Sequence, residues 1–409
     1  MIYGGIKMSN KVCVIGAGAS GIFAAISARQ QGADVFILER NQKIGKKILA
    51  TGNGRCNFTN VDATDNNYNH PYFVKSVFEQ FGPEQTIKYF ESLGILPKVE
   101  DEGKAYPYSE QASSIVEVLL YELNRLDIPI IYDSFVEELS IKNNDYIIKT
   151  TNKQYNADKV ILTTGGKALP KSGSDGNGYQ IAKKLGHKIT PIFPSLVKLN
   201  LDYPYLKQMD GVKVKAKAQL VHNEKVIHEE FGDVLFTKYG ISGPTILQIS
   251  RTANQLLLEG QKIYIRVILI NDLEIYELVK RFKNLGAKPI EMALVGLIPR
   301  KLIHPILKEA NIHNYQLNTA SLSGKALKRV LDVLYNWQFL IIDSKGYDEA
   351  QVTAGGVDLD LVDQMTLESK VHKGLYFAGE ILDIDALCGG YNLQWAWSSG
   401  YIAGKYAGK

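Results

Sequence analysis

Three rhythms of apolar and polar positions divide this chain. The first is a short β-branched run followed by helical spacing. Val12–Ile15 reads as a buried strand, Ile22–Gln31 as a helix stopped at Gly32, and Val35–Leu38 as a second buried strand. The same kind of run returns in KVILTTGG (Lys159–Gly166) and, far downstream, in GLYFAGE (Gly374–Glu380), with a helix from about Leu393. Such runs belong to parallel strands covered on both faces. The second rhythm is strict alternation in Val212–Leu220, with Lys225–Glu230 as a returning strand and Ile263–Ile270 and Gln338–Ile342 as further strands. It predicts a half-exposed antiparallel sheet. The third is helical spacing in Leu273–Leu285, Pro289–Ala310 and Ser323–Trp337.

These rhythms predict an α/β fold: a Rossmann-like domain in two pieces, residues 1–190 and 356–409, interrupted by an inserted β domain at 191–355. A small helical module, 271–337, sits inside the insertion. Shorter readings are a helix Tyr72–Leu93, a helix from a Ser109 cap to Leu123, and strands within Pro129–Leu139 with Val136 near the end. A hairpin at Tyr146–Lys149 and Tyr155 and a helix Tyr179–Leu185 complete the list.

The first strand runs into G-x-G-x-x-G at Gly16, Gly18 and Gly21, and the second ends in Glu39. Gly16 turns the chain out of the strand, Gly18 admits a pyrophosphate close to the backbone, and Gly21 lets the helix sit tightly on the sheet. The first N–H groups of the helix face the phosphate charge, and Glu39 is placed for a ribose diol. The motif alone is weak evidence; strand, helix, second strand and terminal acid together predict a dinucleotide site.

Composition adds exclusions. The chain has 409 residues, 45% apolar and 22% charged, as in an ordinary globular protein. No apolar run approaches the ~20 residues of a membrane span. MIYGGIKMSN has neither a cationic start nor an apolar core, so no signal peptide is expected and a cytoplasmic setting is. Either Met1 or Met8 fits as the natural start. A net charge of +4 without a dense basic block argues against nucleic acid and leaves a small molecule as the expected partner. Cys13, Cys56 and Cys388 are too scattered for a CxxC pair or a zinc site, and the seven histidines show no metal spacing. Cys13 reads as a core residue, and His187 as an ordinary helix-terminal one.

The late return of the parallel-sheet rhythm decides between dinucleotides. An NAD domain finishes in one stretch, whereas a flavoprotein of the glutathione-reductase type brings back a last strand and a helix whose N-terminus faces the isoalloxazine. Asn392, Leu393 and Gln394 hold that position, so the expected cofactor is noncovalent FAD. The loop Ile44–Asn60 carries Lys46, Lys47 and Arg55 among small residues, a composition suited to wrapping an anionic ligand.

Several blocks together resemble the HI0933-like (BaiN/YhiN-type) flavoproteins. They are KKILATGNGRCNFTN (Lys46–Asn60), GKAYPYSEQAS (Gly103–Ser113), PKSGSDGNGY (Pro170–Tyr179), GDVLFTKYGISGPTILQIS (Gly232–Ser250), VTAGGV (Val352–Val357) and GLYFAGEILDIDALCGGYNLQWAWSSG (Gly374–Gly400). The resemblance implies a FAD-binding Rossmann-like domain and an inserted β-barrel (191–270 and 338–355) around the helical module. It also implies oxidoreductase activity that is NAD(P)/FAD-dependent, with one branch reducing unsaturated steroid acids. Carried over, Gly16, Ala17, Gly18, Ala19, Ser20 and Gly21 hold the pyrophosphate, and Glu39 and Arg40 bracket the adenosine. The Val136 backbone meets the adenine edge, and Thr164, Gly165, Gly379 and Glu380 lie along the pyrophosphate and ribityl chain. Lys47, Thr51, Gly52, Asn53 and Gly54 complete the cofactor contacts. The chain departs from the family at Lys104, Lys238 and Ala386–Cys388.

Candidates for the chemistry are Arg55, Cys56, Asn57 and Tyr391. Arg55 suits either an anionic group or a salt bridge holding its own loop. Cys56 suits a flavin redox partner less well than a small core side chain. Tyr391 suits a proton donor or an aromatic packed on the cofactor. Trp395 and Trp397, at i and i+2, cannot share one face, so at most one meets the flavin. The expected reaction is hydride transfer from NAD(P)H, visiting transiently, through flavin N5 to an activated C=C or similar acceptor. Its rivals are a flavoenzyme acting on RNA and a flavin-bound redox sensor without turnover.

Overall fold

The computed structural model describes residues 10–143 and 145–409; the choice between Met1 and Met8 lies outside them. The chain forms two compact units, one running to Phe193 and resuming at Gln351, the other Pro194–Ala350.

The first unit is built on a five-stranded sheet, in spatial order Leu375–Phe377, Lys159–Leu162, Lys11–Ile15, Asp34–Leu38 and Ile130–Ile131. All neighbours are parallel, with Val14 opposite both Ile161 and Ile37. Val12, Cys13 and Val14 are fully buried, as β-branched and small side chains on a doubly covered sheet should be. Because the strands run the same way, Gly16, Thr163–Gly165 and Ala378–Glu380 emerge side by side.

The helix Ala19–Gln30 packs against the last helix, Tyr391–Ala407, backbone to backbone. A Cβ on Gly400 would fall 2.3 Å from Ser20 O, one on Gly404 2.2 Å from Ala24 O, and one on Gly408 2.6 Å from Ala28 O. Glycines spaced by four share one helical face, so each turn removes a side chain where the partner needs the room. Ser27 Oγ donates to Tyr401 O at 2.8 Å across the same seam.

Several expectations change. The helix expected over Tyr72–Leu93 is two, Pro71–Phe78 and Pro83–Ser92, broken where Gly82 precedes a proline at the first helical position. The next helix is Ala112–Arg125 with Gln111 at its cap; the Ser109 hydroxyl instead pairs with Ser114 Oγ at 2.8 Å. Val136 opens a strand, Val136–Lys142, in a meander with Asp145–Thr150 and Gln154–Ala157. A small sheet of Thr59–Asn60, Lys104–Pro107 and Pro97–Val99 was not anticipated.

In the second unit six antiparallel strands close on themselves: Leu199–Asp202, Gly240–Ser242, Lys225–Thr237, Lys213–His222, Ile263–Ile268 and Trp337–Ser344. The long hairpin turns at Asn223 and Glu224, both left-handed, as a two-residue hairpin requires. A helix Pro244–Leu258 went unread in the sequence. The helix expected over Pro289–Ala310 divides into Ile290–Val295 and Arg300–Glu309. No helix among the described residues is long and apolar enough to cross a membrane.

Candidate functional site

The glycine loop sits at the C-terminal ends of the parallel strands. Gly16 has φ 105° and donates to Leu38 O at 2.9 Å; a Cβ there would lie 2.8 Å from Thr163 O. A Cβ on Gly21 would lie 1.9 Å from Gly16 O. Gly18 differs, for nothing stands within 4 Å of its Cβ position. The protein itself therefore demands Gly16 and Gly21, while the space beside Gly18 is free for a ligand. The helix has no side-chain cap, and its first internal bond is Ile22 N to Gly18 O at 3.0 Å. The Ala19, Ser20 and Gly21 N–H groups thus lack intrahelical acceptors, a ready anion site. Ala17 N is committed elsewhere, donating to Glu39 Oε2 at 2.7 Å.

Glu39 is buried, and its Oε1 accepts from Asn41 N at 2.8 Å and Asn41 Nδ2 at 2.7 Å. A carboxylate has about four acceptor positions, so one remains for a ribose hydroxyl. A cavity of about 500 Å³ opens beside it, lined by Arg40, Asn41, Gln42, Lys43, Lys46 and Asp133. The Arg40 guanidinium is 2.6 Å from Asp175 and stacks on Phe135, so it ties a neighbouring loop to the strand end. The Val136 carbonyl accepts from Asn177 Nδ2 at 2.8 Å. Thr164 Oγ1 and Ser174 Oγ, both buried, have no hydrogen-bond partner among the described residues. A Cβ on Gly165, φ 72°, would press on Ser174 Oγ at 2.8 Å.

Midway along the groove Lys47 Nζ meets Glu380 Oε2 at 2.5 Å, while Glu380 Oε1 accepts from Thr353 N at 2.8 Å. This pair joins the Ile44–Asn60 loop to the last strand. The loop begins as a short helix, Lys46–Ala50, with Thr51 Oγ1 donating to Ile48 O at 2.6 Å. Gly52, Asn53, Gly54 and Cys56 are all left-handed, and the loop closes on itself through Arg55 N to Gly52 O and Cys56 N to Thr51 O, both 3.1 Å. Gly379 N donates to Ser399 Oγ at 2.9 Å and its carbonyl accepts from Trp395 Nε1 at 3.1 Å.

The far end is the N-terminus of the last helix. Gly390, φ 97°, caps it, and Gln394 N donates to Gly390 O at 3.0 Å. Tyr391, Asn392 and Leu393 therefore hold N–H groups without intrahelical acceptors. The Asn392 side chain clamps the preceding loop, accepting from Ala386 N at 3.0 Å and donating to Ala386 O and Leu387 O. Gln394 is a correction. It is fully buried and bonded to Thr59, Thr86 and Ser398, so the fourth residue of the helix faces the core and offers the groove nothing. Neither tryptophan faces the groove as an open wall: both are buried, and Trp397 Nε1 donates to Phe58 O at 2.8 Å.

Of the residues singled out for chemistry, Arg55 forms a forked pair with Glu100 at 3.0 and 3.3 Å and lies 4.1 Å over the Tyr106 ring. It holds its own loop. Cys56 is wholly buried, and burial pushes its thiol up to about 12, so it is no thiolate at neutral pH. Asn57 is 9% exposed, with Oδ1 unpartnered among the described residues. Tyr391 is partly exposed; burial first, then Asp62, holds its phenol above the ordinary tyrosine range, with Lys104 opposing. A second cavity, about 440 Å³, is lined by Arg55, Glu100, Asp101, Lys104 and Tyr106. Its Lys104 is a residue that composition alone did not mark. His187 is no ordinary helix end: it is buried, Nε2 2.9 Å from Ser369 Oγ, and burial lowers its pKa to about 4.

The residues present fit a dinucleotide carrying a flavin. Orphaned hydroxyls at Thr164 and Ser174, open space at Gly18 and two helix N-termini without side-chain caps lie about the ends of the parallel strands, with a free acceptor position on Glu39. Groups of this kind are left unsatisfied in a native chain where a ligand completes them.

Comparison with known proteins agrees. The HI0933-like protein Rossmann domain model matches residues 10–406. A 3-dehydro-bile acid delta(4,6)-reductase of Clostridium scindens is 40% identical over 97% of this chain and 99% of its own. A ribosomal RNA dihydrouridine synthase of Haemophilus influenzae is 32% identical over 95% and 96%. The crystal structure of a 3-ketosteroid delta1-dehydrogenase from Sterolibacterium denitrificans superposes with a TM-score of 0.51 at 11% identity, covering 98% of this chain and 100% of that one, which speaks for the fold alone. With a family model across nearly its whole length and these relatives, the chain belongs to the HI0933-like family of flavoprotein oxidoreductases.

Proposed function

We propose that this protein reduces a conjugated carbon–carbon double bond in a small organic acceptor, with FAD in the groove and NAD(P)H as the reductant. The observation that carries the reading is the far end of the groove, where uncapped helix N–H groups, the Tyr391 phenol and Asn57 come from neighbouring segments. FAD, when bound, supplies hydride transfer. The chain does the rest. Tyr391, Asn392 and Leu393 N–H groups and the helix dipole hold negative charge there. Tyr391 keeps its proton at neutral pH, because burial disfavours the phenolate, and gives it from Oη to the carbon beside the one that receives hydride. The cavity at Arg55, Lys104 and Tyr106 holds the acceptor; Lys104 is paired with Glu102 and Arg55 with Glu100, so its lining is close to neutral in charge. Glu39, the Gly16–Gly21 loop, Thr164 and Glu380 anchor the cofactor and take no part in the chemistry.

Two relatives bear names, a delta(4,6)-reductase and a dihydrouridine synthase, that both describe addition of hydrogen across such a bond. A cytoplasmic setting accords with three cysteines free of disulfides and with a nicotinamide supply. The test is anaerobic mixing of the yellow protein with NADH and with NADPH. Loss of the flavin's visible absorbance with one of them, and its return on adding an enone acid, is the expected result. No bleaching by either sinks the nicotinamide step.

A second reading makes the acceptor a uracil base in RNA. It is favoured by the dihydrouridine synthase relative and by charge: residues 194–350 carry 21 Lys and Arg against 16 Asp and Glu, so the chain's positive excess resides there. RNA binding that weakens steeply with salt, together with uridine reduction, would select it.

A further inference from the structure

Resting on the flavin reading, we infer that Asn57 recognises the N3–H of the flavin's pyrimidine ring, so that this side chain, beside the last helix, selects the ring edge presented to it. Asn57 Oδ1 is buried and has no hydrogen-bond partner among the described residues. A Cβ placed on Gly390 would lie 2.9 Å from it and 2.6 Å from Thr59 O, so the amide points at the residue that caps the helix. An acceptor left dry in this way is costly unless a donor arrives.

The surroundings say which donor. Tyr391, Asn392 and Leu393 present N–H groups from the first turn, and these match the N1 and O2 acceptors of an isoalloxazine. Next to O2 on that ring lies N3, the one N–H donor of the oxidised pyrimidine edge. A row of donors flanked by an acceptor is the complement of that edge, and Asn57 is the acceptor.

The side chain is also held in place. Cys56 N donates to Thr51 O at 3.1 Å with φ 60° at Cys56, a conformation that a non-glycine residue adopts at a cost. On the other side Phe58 N donates to Ala105 O at 2.9 Å, and Phe58 O accepts from Trp397 Nε1 at 2.8 Å. A Cβ on Gly52 would strike Asn57 N at 2.7 Å, so the loop closes over this residue from above. Asn57 is thus fixed at both peptide neighbours, with its amide directed toward Gly390.

The experiment compares FAD with N3-methyl-FAD, binding each to the cofactor-stripped protein and reading flavin fluorescence. The native chain should bind FAD at least about tenfold more tightly than the methylated form, because methylation removes the donor and leaves Oδ1 unpaired. Asn57→Ala should shrink that ratio to within about threefold, by weakening FAD alone. Asn57→Asp, which keeps an acceptor, should restore the preference while lowering the flavin's midpoint potential through its added charge. Melting curves of each stripped variant separate misfolding from recognition. Equal binding of the two flavins by the native chain, or an undiminished preference in a folded Asn57→Ala, overturns the assignment. If no flavin binds to any form, the flavin reading fails with it.

Discussion

The two ends of the cofactor groove are made differently. At the Gly16–Glu39 end the protein supplies most of its own partners: Ala17 N and Asn41 fill three positions on Glu39, and Arg40 is spoken for by Asp175. At the Asn57–Leu393 end a buried acceptor is unmatched, the backbone of Asn53 and Cys56 is left-handed, and the phenol of Tyr391 keeps its proton. The first end is a socket whose carboxylate is nearly filled before anything binds, while the Thr164 and Ser174 hydroxyls beside it are unmatched among the described residues. The second is incomplete by construction, and strain and unmet polar groups gather where chemistry is done.

The largest expected effect breaks the contrast at its chemical end. Tyr391→Phe should slow acceptor reduction by about 10²- to 10⁴-fold, while bleaching by the nicotinamide is unchanged. Equal losses in both half-reactions would show that the ring only packs. Next come two glycines of the socket, one required by the chain and one by its ligand. Gly21→Ala drives a methyl into Gly16 O and should cost roughly 3 kcal/mol or more in chemical denaturation. Gly18→Ala meets nothing, so the stripped protein should melt as the native one does while FAD affinity falls about tenfold or more. If the alanine at Gly18 leaves FAD affinity intact, the pyrophosphate does not pass there.

A smaller effect tests the sheet beneath both ends. His187 packs its ring 4.7 Å from Phe377 and titrates near 4 rather than 6.5. The unfolded chain takes up that proton first as pH falls, so stability present above 6.5 is lost progressively down to about 4, by roughly 3 kcal/mol. His187→Phe should flatten urea midpoints across that window. The smallest effect belongs to Cys56. With its thiol near 12 and no surface, it should not react with a thiol reagent at pH 8, and Cys56→Ala should leave nicotinamide bleaching within about twofold.

How much of this was legible in the residues follows the same contrast. The socket was, because its glycines answer to local geometry: Gly16 must be left-handed and Gly21 must clear Gly16 O, and both demands repeat wherever a strand turns into a helix on a phosphate. The late strand was legible for the same reason, as an apolar run ending in Gly379-Glu380. What escaped depends on neighbours distant in sequence. Gln394 sits one residue past Leu393, yet helical rotation carries it inward to Thr86 and Ser398. The pairing of Arg55 with Glu100 required a sheet formed by segments on either side of two helices. The helix Pro244–Leu258 buries Ile246, Ile249 and Ala253 on one face, a spacing whose meaning depends on the barrel strands it covers. The four-residue spacing of Gly400, Gly404 and Gly408 stood in plain view; its meaning needs Ser20, Ala24 and Ala28 opposite.

That seam of glycines has a consequence for how the protein is made. Ser27 and Tyr401 are 374 residues apart, and until the later helix has been synthesised the earlier one has no partner for its small-residue face. The inserted unit, by contrast, is translated in one stretch and holds its own core of Phe236, Trp337 and Phe339. During synthesis the order of folding is therefore inverted with respect to the chain: the middle sets first, and the beginning waits for the end. A chain stopped short of Tyr391 therefore has a glycine loop and its helix, and no second helix to pack on them.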